Sequence, residues 1–205
     1  MQKRKLGNSG IEVAPLAFGG NVFGWTVDEP ASCSLLDAFV AADLNLIDSA
    51  DVYSTWVAGH TGGESENIIG KWLKKSGRRD KVVIATKVGM EMAADKKGLT
   101  RAYILRAAEV SLRRLHTDSS HLYQSHTRDP DTPIEETVEA YAQLIQAGKV
   151  RAVGASIYSV AQLRRSVTAS NSFTRFCIIE KGDRAVPANA AGKKIGHKHR
   201  ARFNH

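Results

Sequence analysis

The stretch Phe18-Gly19-Gly20-Asn21-Val22-Phe23-Gly24 (residues 18–24) joins the first strand-like run, Leu16-Ala17-Phe18, to the first helical pattern. Two architectures part at this turn. A doubly wound nucleotide-binding sheet carries G-x-G-x-x-G here, which lets a pyrophosphate settle on the following helix N-terminus. Glycines at 19, 20 and 24 do not fit that spacing, and no G-x-x-x-x-G-K-[ST] run occurs in the chain. The turn favours a barrel of βα units over an open doubly wound sheet.

The flanking sequence keeps a βα rhythm to about residue 167. A helix opened by Asp28, Glu29 and Pro30 shows Leu35, Leu36, Phe39 and Val40 on one face, and Leu44-Asn45-Leu46-Ile47 is the next strand. A helix carrying Ile68, Ile69, Trp72 and Leu73 ends near Gly77, and Val82-Val83-Ile84-Ala85-Thr86 is a β-branched strand. Thr100 is the candidate N-cap of a third helix, and His121-Leu122-Tyr123-Gln124 is a weaker strand. Thr132-Pro133-Ile134-Glu135 has the form of a capping box with Pro at N1 and starts a helix that stops at Gly148. Arg151-Ala152-Val153-Gly154-Ala155 is a fifth strand, and Ser159-Val160-Ala161-Gln162 a second capping box. Five consecutive units spaced about thirty residues apart imply a parallel sheet with right-handed crossovers. Ahead of them, the short runs around Gly7-Asn8-Ser9-Gly10 read as a β-hairpin, placed as a plug on the barrel's bottom face. The fold class is thus α/β, of (β/α)8 TIM-barrel type, incomplete at about five to six βα units, with an N-terminal β-hairpin.

The 205 residues are 42% hydrophobic and 24% charged, which excludes fibrous and disordered classes. No apolar run reaches the length of about 18 residues that a membrane helix needs, and no secretory h-region follows Met1, so a cytoplasmic protein is expected. Cys33 and Cys177 stand in unrelated contexts and indicate neither a disulfide framework nor a metal site. The net charge of +8 is concentrated in residues 171–205, which hold eight Lys and Arg against Glu180 and Asp183.

Polar residues stand at the carboxyl ends of the strands. Strand two runs into Asp48-Ser49-Ala50-Asp51-Val52-Tyr53, strand three into Lys87, strand four into Ser125-His126, and strand five into Ser156. In a βα barrel these ends converge on the face where chemistry is built. An ammonium beside a tyrosine favours the phenolate, an aspartate anchors the ammonium, and a neutral histidine can hydrogen-bond a substrate oxygen. That set suits proton transfer to a carbonyl oxygen. No side chain can supply a hydride, so a redox cofactor is required.

These motifs resemble the aldo-keto reductase family. The resemblance rests on Arg4-Lys5-Leu6-Gly7-Asn8-Ser9-Gly10, Leu46 through Tyr53, Ser65-Glu66, Ala85-Thr86-Lys87-Val88-Gly89, His126 through Thr137, and Gly148 through Ser156. It covers residues 3–168. It implies NADPH as hydride donor and an aldehyde or ketone as substrate. It also implies a catalytic tetrad: Tyr53 as general acid, Lys87 as its pKa modulator, Asp48 as the partner of Lys87, and His126 as the group orienting the substrate. By the same resemblance Ser156 holds the nicotinamide carboxamide, and Gly20, Asn21 and Asp48 line the cofactor. Where the family has Asn after that serine, this chain has Ile157.

The resemblance divides the chain into residues 1–170, the barrel portion, and residues 171–205, a basic tail expected to be disordered and without family likeness. Phe176-Cys177-Ile178-Ile179 can still pair as a sixth strand. The abrupt change reads as a C-terminal truncation or a shift of reading frame, leaving sheet edges through which copies could self-associate. Two other functions stand beside the reductase: a catalytically silent relative that binds nucleotide or a protein partner, and nucleic-acid binding through the basic tail.

Overall fold

The computed structural model describes residues 2–170 and the strand Phe176–Ile178; the rest of the basic stretch 171–205 lies outside the described residues. Two antiparallel strands, β1 (Arg4–Lys5) and β2 (Glu12–Val13), form the N-terminal hairpin. A six-stranded parallel sheet follows: β3 (Ala17–Gly19), β4 (Leu46–Asp48), β5 (Val83–Val88), β6 (Ser120–Thr127), β7 (Val150–Ile157) and β8 (Phe176–Ile178). Between them run α1 (Glu29–Ala41), α2 (Glu64–Ser76), α3 (Arg101–Arg114), α4 (Ile134–Gln146) and α5 (Val160–Ala169).

The strands are hydrogen-bonded strictly in chain order. A doubly wound sheet would reverse its order at a switch point; a sheet that never reverses is the barrel type. The turn at 18–24 and the strand order thus point the same way.

Alternation gives the sheet two faces. Outward, Ile47 and Ile84 pack with Leu36, Phe39, Ile69 and Trp72 of α1 and α2, while Val88, Tyr123 and Val153 pack with Ile104, Tyr141 and Leu144 of α3 and α4. Inward, Leu46, Val83, Ala85, Leu122 and Ala152 form a third cluster with Ile11, Leu6 and Val13 of the hairpin. The hairpin therefore floors the sheet's inner face, as expected. Asn45 pins it: Oδ1 accepts from Ala14 N at 2.8 Å and Nδ2 donates to Glu12 O at 2.9 Å.

Several local expectations are met. Asp28 and Thr100 cap α1 and α3, Gly77 ends α2 in the left-handed conformation, Gly148 follows α4 at φ 71°, and Ser159 with Gln162 forms a reciprocal capping box. Others need correction. The Thr132–Glu135 capping box does not form, because α4 starts one residue later than expected, with Pro133 at the N-cap rather than at N1; the Thr132 hydroxyl, outside the helix, donates to Asp129 Oδ2 at 2.6 Å. Leu35 is exposed rather than buried, since the sheet-facing stripe of α1 runs through Ser32, Leu36 and Phe39. Leu16-Ala17-Phe18 is not a buried run: Leu16 is 54% exposed, and β3 has β4 as its sole sheet neighbour among the described residues. The weak pattern at His121–Gln124 is in fact an eight-residue strand, supported on both sides by β5 and β7. Among the described residues no helix is long and apolar enough to cross a membrane.

Candidate active site

The inward rows that begin as the apolar floor end as polar groups. On β4 the row is Leu46 then Asp48; on β5, Val83, Ala85, Lys87; on β6, Leu122, Gln124, His126; on β7, Ala152, Gly154, Ser156. Period-two alternation does the selecting: once the floor residues face inward, the chemistry-bearing residues above them must do so too. Register places Ser156 beside His126, since their flanking residues pair as Ser125↔Ala155 and Thr127↔Ile157. Gly20 follows Gly19, which pairs with Asp48.

Tyr53 arrives differently. Beyond β4 the ladder continues through Ser49 N to Ala85 O at 2.8 Å and Asp51 N to Lys87 O at 3.1 Å, after which the chain turns. Ser54 takes φ 77°, an uncommon angle for a residue with a side chain, and its hydroxyl is tied to Phe23 O at 2.9 Å. This tether holds the turn that lays Tyr53 back over the strand ends, against Met90 and Met92.

Lys87 is the hub of the site. It is 3% exposed, and its Nζ lies 2.7 Å and 2.8 Å from the two oxygens of Asp48, 2.7 Å from Ser49 O and 3.0 Å from Tyr53 Oη. An ammonium has three donors, and a carboxylate, a carbonyl and a phenol supply acceptors for all three. The Tyr53 hydroxyl also reaches Asp48 Oδ2, at 3.4 Å, a long contact. The His126 ring stands 5.8 Å from the Tyr53 ring at 76°, and both side chains are nearly buried.

The four residues expected to act together, Asp48, Tyr53, Lys87 and His126, thus meet at one end of the sheet. Ser156 joins them by register, and Gly20 and the half-buried Asn21 close the β3 side. Gly20 is buried, and a Cβ there would lie 2.9 Å from Ser65 Oγ and 3.1 Å from Asp48 O, so packing alone demands a glycine. Two exposed aromatics stand beside the site. Trp25 and Trp56 meet edge to face at 5.5 Å, and Trp56 lies 6.3 Å from Tyr53. They extend the site outward from the phenol, and only their position after strand ends could have marked them in the sequence.

Behind the sheet lies a second buried polar group. Burial raises the Asp51 carboxyl well above the usual carboxylate range, and the nearby Glu66 adds to the rise, against the partial relief of Arg114 and the Val52 N–H. Tyr123 is likewise pushed up by burial, and Tyr103 to about 12.

Comparison with known proteins agrees with this geometry. The model of the "Aldo/keto reductase family" matches residues 15–179, past the boundary expected at residue 170. "Aldo-keto reductase YhdN" of Bacillus subtilis is 38% identical over 80% of this chain and 49% of its own length. A solved structure, "aldo-keto reductase AKR11C1 from Bacillus halodurans (holo form)", superposes with a TM-score of 0.71 at 37% identity, covering 83% of this chain and 55% of that one. An "Uncharacterized 11.2 kDa protein" of Pseudescherichia vulneris is 55% identical over 47% of this chain and 94% of its own length. The chain spans about half the length of the reductases it matches. With a barrel-ordered sheet, the converging polar strand ends and a family match over most of its length, the chain belongs to the aldo/keto reductase family.

Proposed function

We propose that this chain is a cytoplasmic NADPH-dependent oxidoreductase that reduces an aldehyde or ketone to an alcohol. The observation that carries the reading is the three-way hold on Lys87, which presents its ammonium to the Tyr53 oxygen while Asp48 balances the charge. Tyr53 donates its proton to the carbonyl oxygen as that oxygen gains negative charge. Lys87, already donating to Oη, stabilises the phenolate left behind, so no solvent reorganisation is needed at the moment of transfer. His126, on the neighbouring strand, orients the carbonyl against Tyr53.

The groups present suit a nicotinamide cofactor. A buried Gly20 keeps the end of β3 free of a side chain, and Ser156 and Asn21 are neutral hydrogen-bonding residues of the kind a carboxamide requires. Ser156, Asn21, Gly20 and Asp48 would hold it, and when bound it supplies the hydride that no side chain here can provide. The barrel portion, residues 1–170, carries every one of these groups.

The test is an NADPH titration followed by tryptophan fluorescence, then turnover with a reactive aromatic aldehyde read at the NADPH absorbance. Saturable quenching with aldehyde-dependent NADPH loss supports the reading. A folded sample that binds no NADPH rejects it, and binding without turnover leaves a nucleotide-binding relative in its place.

A further inference from the structure

Ser65 and Glu66 lie in the first turn of α2, both fully buried, and neither has a part in the chemistry above. We propose that this pair is a positioning clamp that sets the direction of Lys87 by gripping the carboxyl ends of three strands at once. The proposal rests on the reductase reading for its kinetic consequence but not for its structural one.

Ser65 grips the β3 and β4 side. Its hydroxyl donates to Gly20 O at 2.7 Å and lies 2.9 Å from Ser49 Oγ. Ser49 is the residue whose carbonyl accepts from Lys87 Nζ. Glu66 grips β5 and α3. Oε1 accepts from Thr86 Oγ1 at 2.6 Å, and Oε2 pairs with Arg114 at 3.1 Å. Thr86 precedes Lys87, and successive side chains on a strand point to opposite faces. Fixing the Thr86 hydroxyl on the outer face therefore fixes the rotation of β5 about its own axis, and with it the line along which Lys87 enters the site.

The helix that carries the clamp cannot slide. A Cβ on Gly63 would fall 2.2 Å from Arg114 Cζ, and one on Gly70 would fall 2.0 Å from Arg114 O. The middle of α2 is thus seated against the backbone at the end of α3, while its N-cap glycine meets the Arg114 side chain. Simple adhesion does not explain a buried carboxylate here. An apolar pair of similar size would join α2 to α3 without desolvating two charges. Such a pair could not hold the Thr86 hydroxyl.

The experiment uses the full chain labelled with 13C at the tyrosine ring carbon that bears the hydroxyl, with the Tyr53 resonance assigned by its loss in Tyr53→Phe. The variants are Ser65→Ala, Thr86→Val and the hydroxyl-retaining Thr86→Ser. Thr86→Val is isosteric and leaves the Glu66–Arg114 pair in place, so it is the variant that decides if Ser65→Ala fails to fold. The Tyr53 resonance is expected to move in Thr86→Val and Ser65→Ala as Lys87 shifts against Oη, and to stay in place in Thr86→Ser. For the enzyme, kcat with NADPH and an aromatic aldehyde falls about tenfold in the first two variants, with NADPH affinity unchanged and kcat recovered in Thr86→Ser. A Tyr53 resonance that stays in place in folded Thr86→Val overturns the clamp and reduces the pair to packing. If the unaltered chain shows no turnover, the reductase reading fails alone, because the resonance still decides the clamp.

Discussion

Lys87 meets Tyr53 twice: its Nζ donates to the phenol oxygen at 3.0 Å and stands 4.8 Å from the centre of the same ring. Both side chains are almost fully buried, so little water competes for either contact. The ammonium thus stands ready for a negative oxygen before any substrate arrives, which is the arrangement that makes electrostatic catalysis effective.

Tyr53→Phe removes the transferable proton and keeps the ring that packs on His126 and Trp56. Carbonyl reduction is expected to fall by roughly 10²–10⁴-fold, with NADPH affinity within about twofold of the unaltered chain. The paired measurement is steady-state NADPH oxidation beside a fluorescence titration. Turnover at the unaltered rate would remove Tyr53 from the acid role.

Trp56→Ala strips the aromatic surface beyond the phenol while leaving the Lys87 contacts alone. KM for an aromatic aldehyde should rise about fivefold, with kcat for a small aliphatic aldehyde almost unchanged, since an aromatic contact is worth about 1 kcal/mol. Equal effects on both substrates would show that Trp56 supports the loop rather than the ligand.

His121 gives the fold a pH dependence of known sign. Its Nδ1 receives Ile84 N at 3.2 Å and lies 3.1 Å from an Arg79 nitrogen, so this atom accepts and the ring is neutral. Burial first, then Arg79 and Arg151, lowers its pKa from 6.5 to about 4. The unfolded chain therefore binds a proton that the folded chain refuses. The contribution is complete above pH 6.5 and is lost as pH falls toward 4. Because the ring is only half-buried, the part lost between pH 7 and pH 5 is put at about 1 kcal/mol. Urea unfolding at those two pH values should show it, and His121→Gln should lessen the difference. An unchanged pH dependence in that variant would contradict the assignment.

Gly70→Ala tests the contact between α2 and α3. The added methyl would meet Arg114 O at 2.0 Å, and a carbonyl oxygen in a helix end has little freedom to retreat. A loss of about 3 kcal/mol is expected, despite the better helix propensity of alanine. Thermal melts of the two proteins side by side would read it, and an equal or higher Tm for the alanine variant would mean that the helices separate freely.

Much of this was legible in the sequence because strands have an exact period. Once Ile47, Ile84 and Val153 face the helices, Asp48, Lys87 and Ser156 follow on the other side without further information. Helix faces were coarser: Leu35 and Leu36 are adjacent in an apolar stripe, and only packing against the sheet leaves the first exposed. The Thr132 cap failed because α4 starts at Ile134, leaving Thr132 outside it in a loop organised by Asp129, whose Oδ2 accepts from the Thr132 hydroxyl and from Leu99 N at 2.7 Å. The clamp was out of reach for a related reason. Ser65-Glu66 is visible as a motif, but Arg114 lies 48 positions beyond Glu66 and nothing local pairs them.

The hairpin floor has a consequence for how the molecule is made. Leu6 and Ile11 leave the ribosome long before Ala152, yet all three belong to the same apolar cluster. Leu46, Val83 and Ala85 are the hairpin's earlier partners, but the cluster closes only with Ala152, more than a hundred residues after the hairpin. Two short strands cannot persist alone in water. The hairpin is therefore among the later parts of the sheet to settle fully, although it precedes every strand that it packs on.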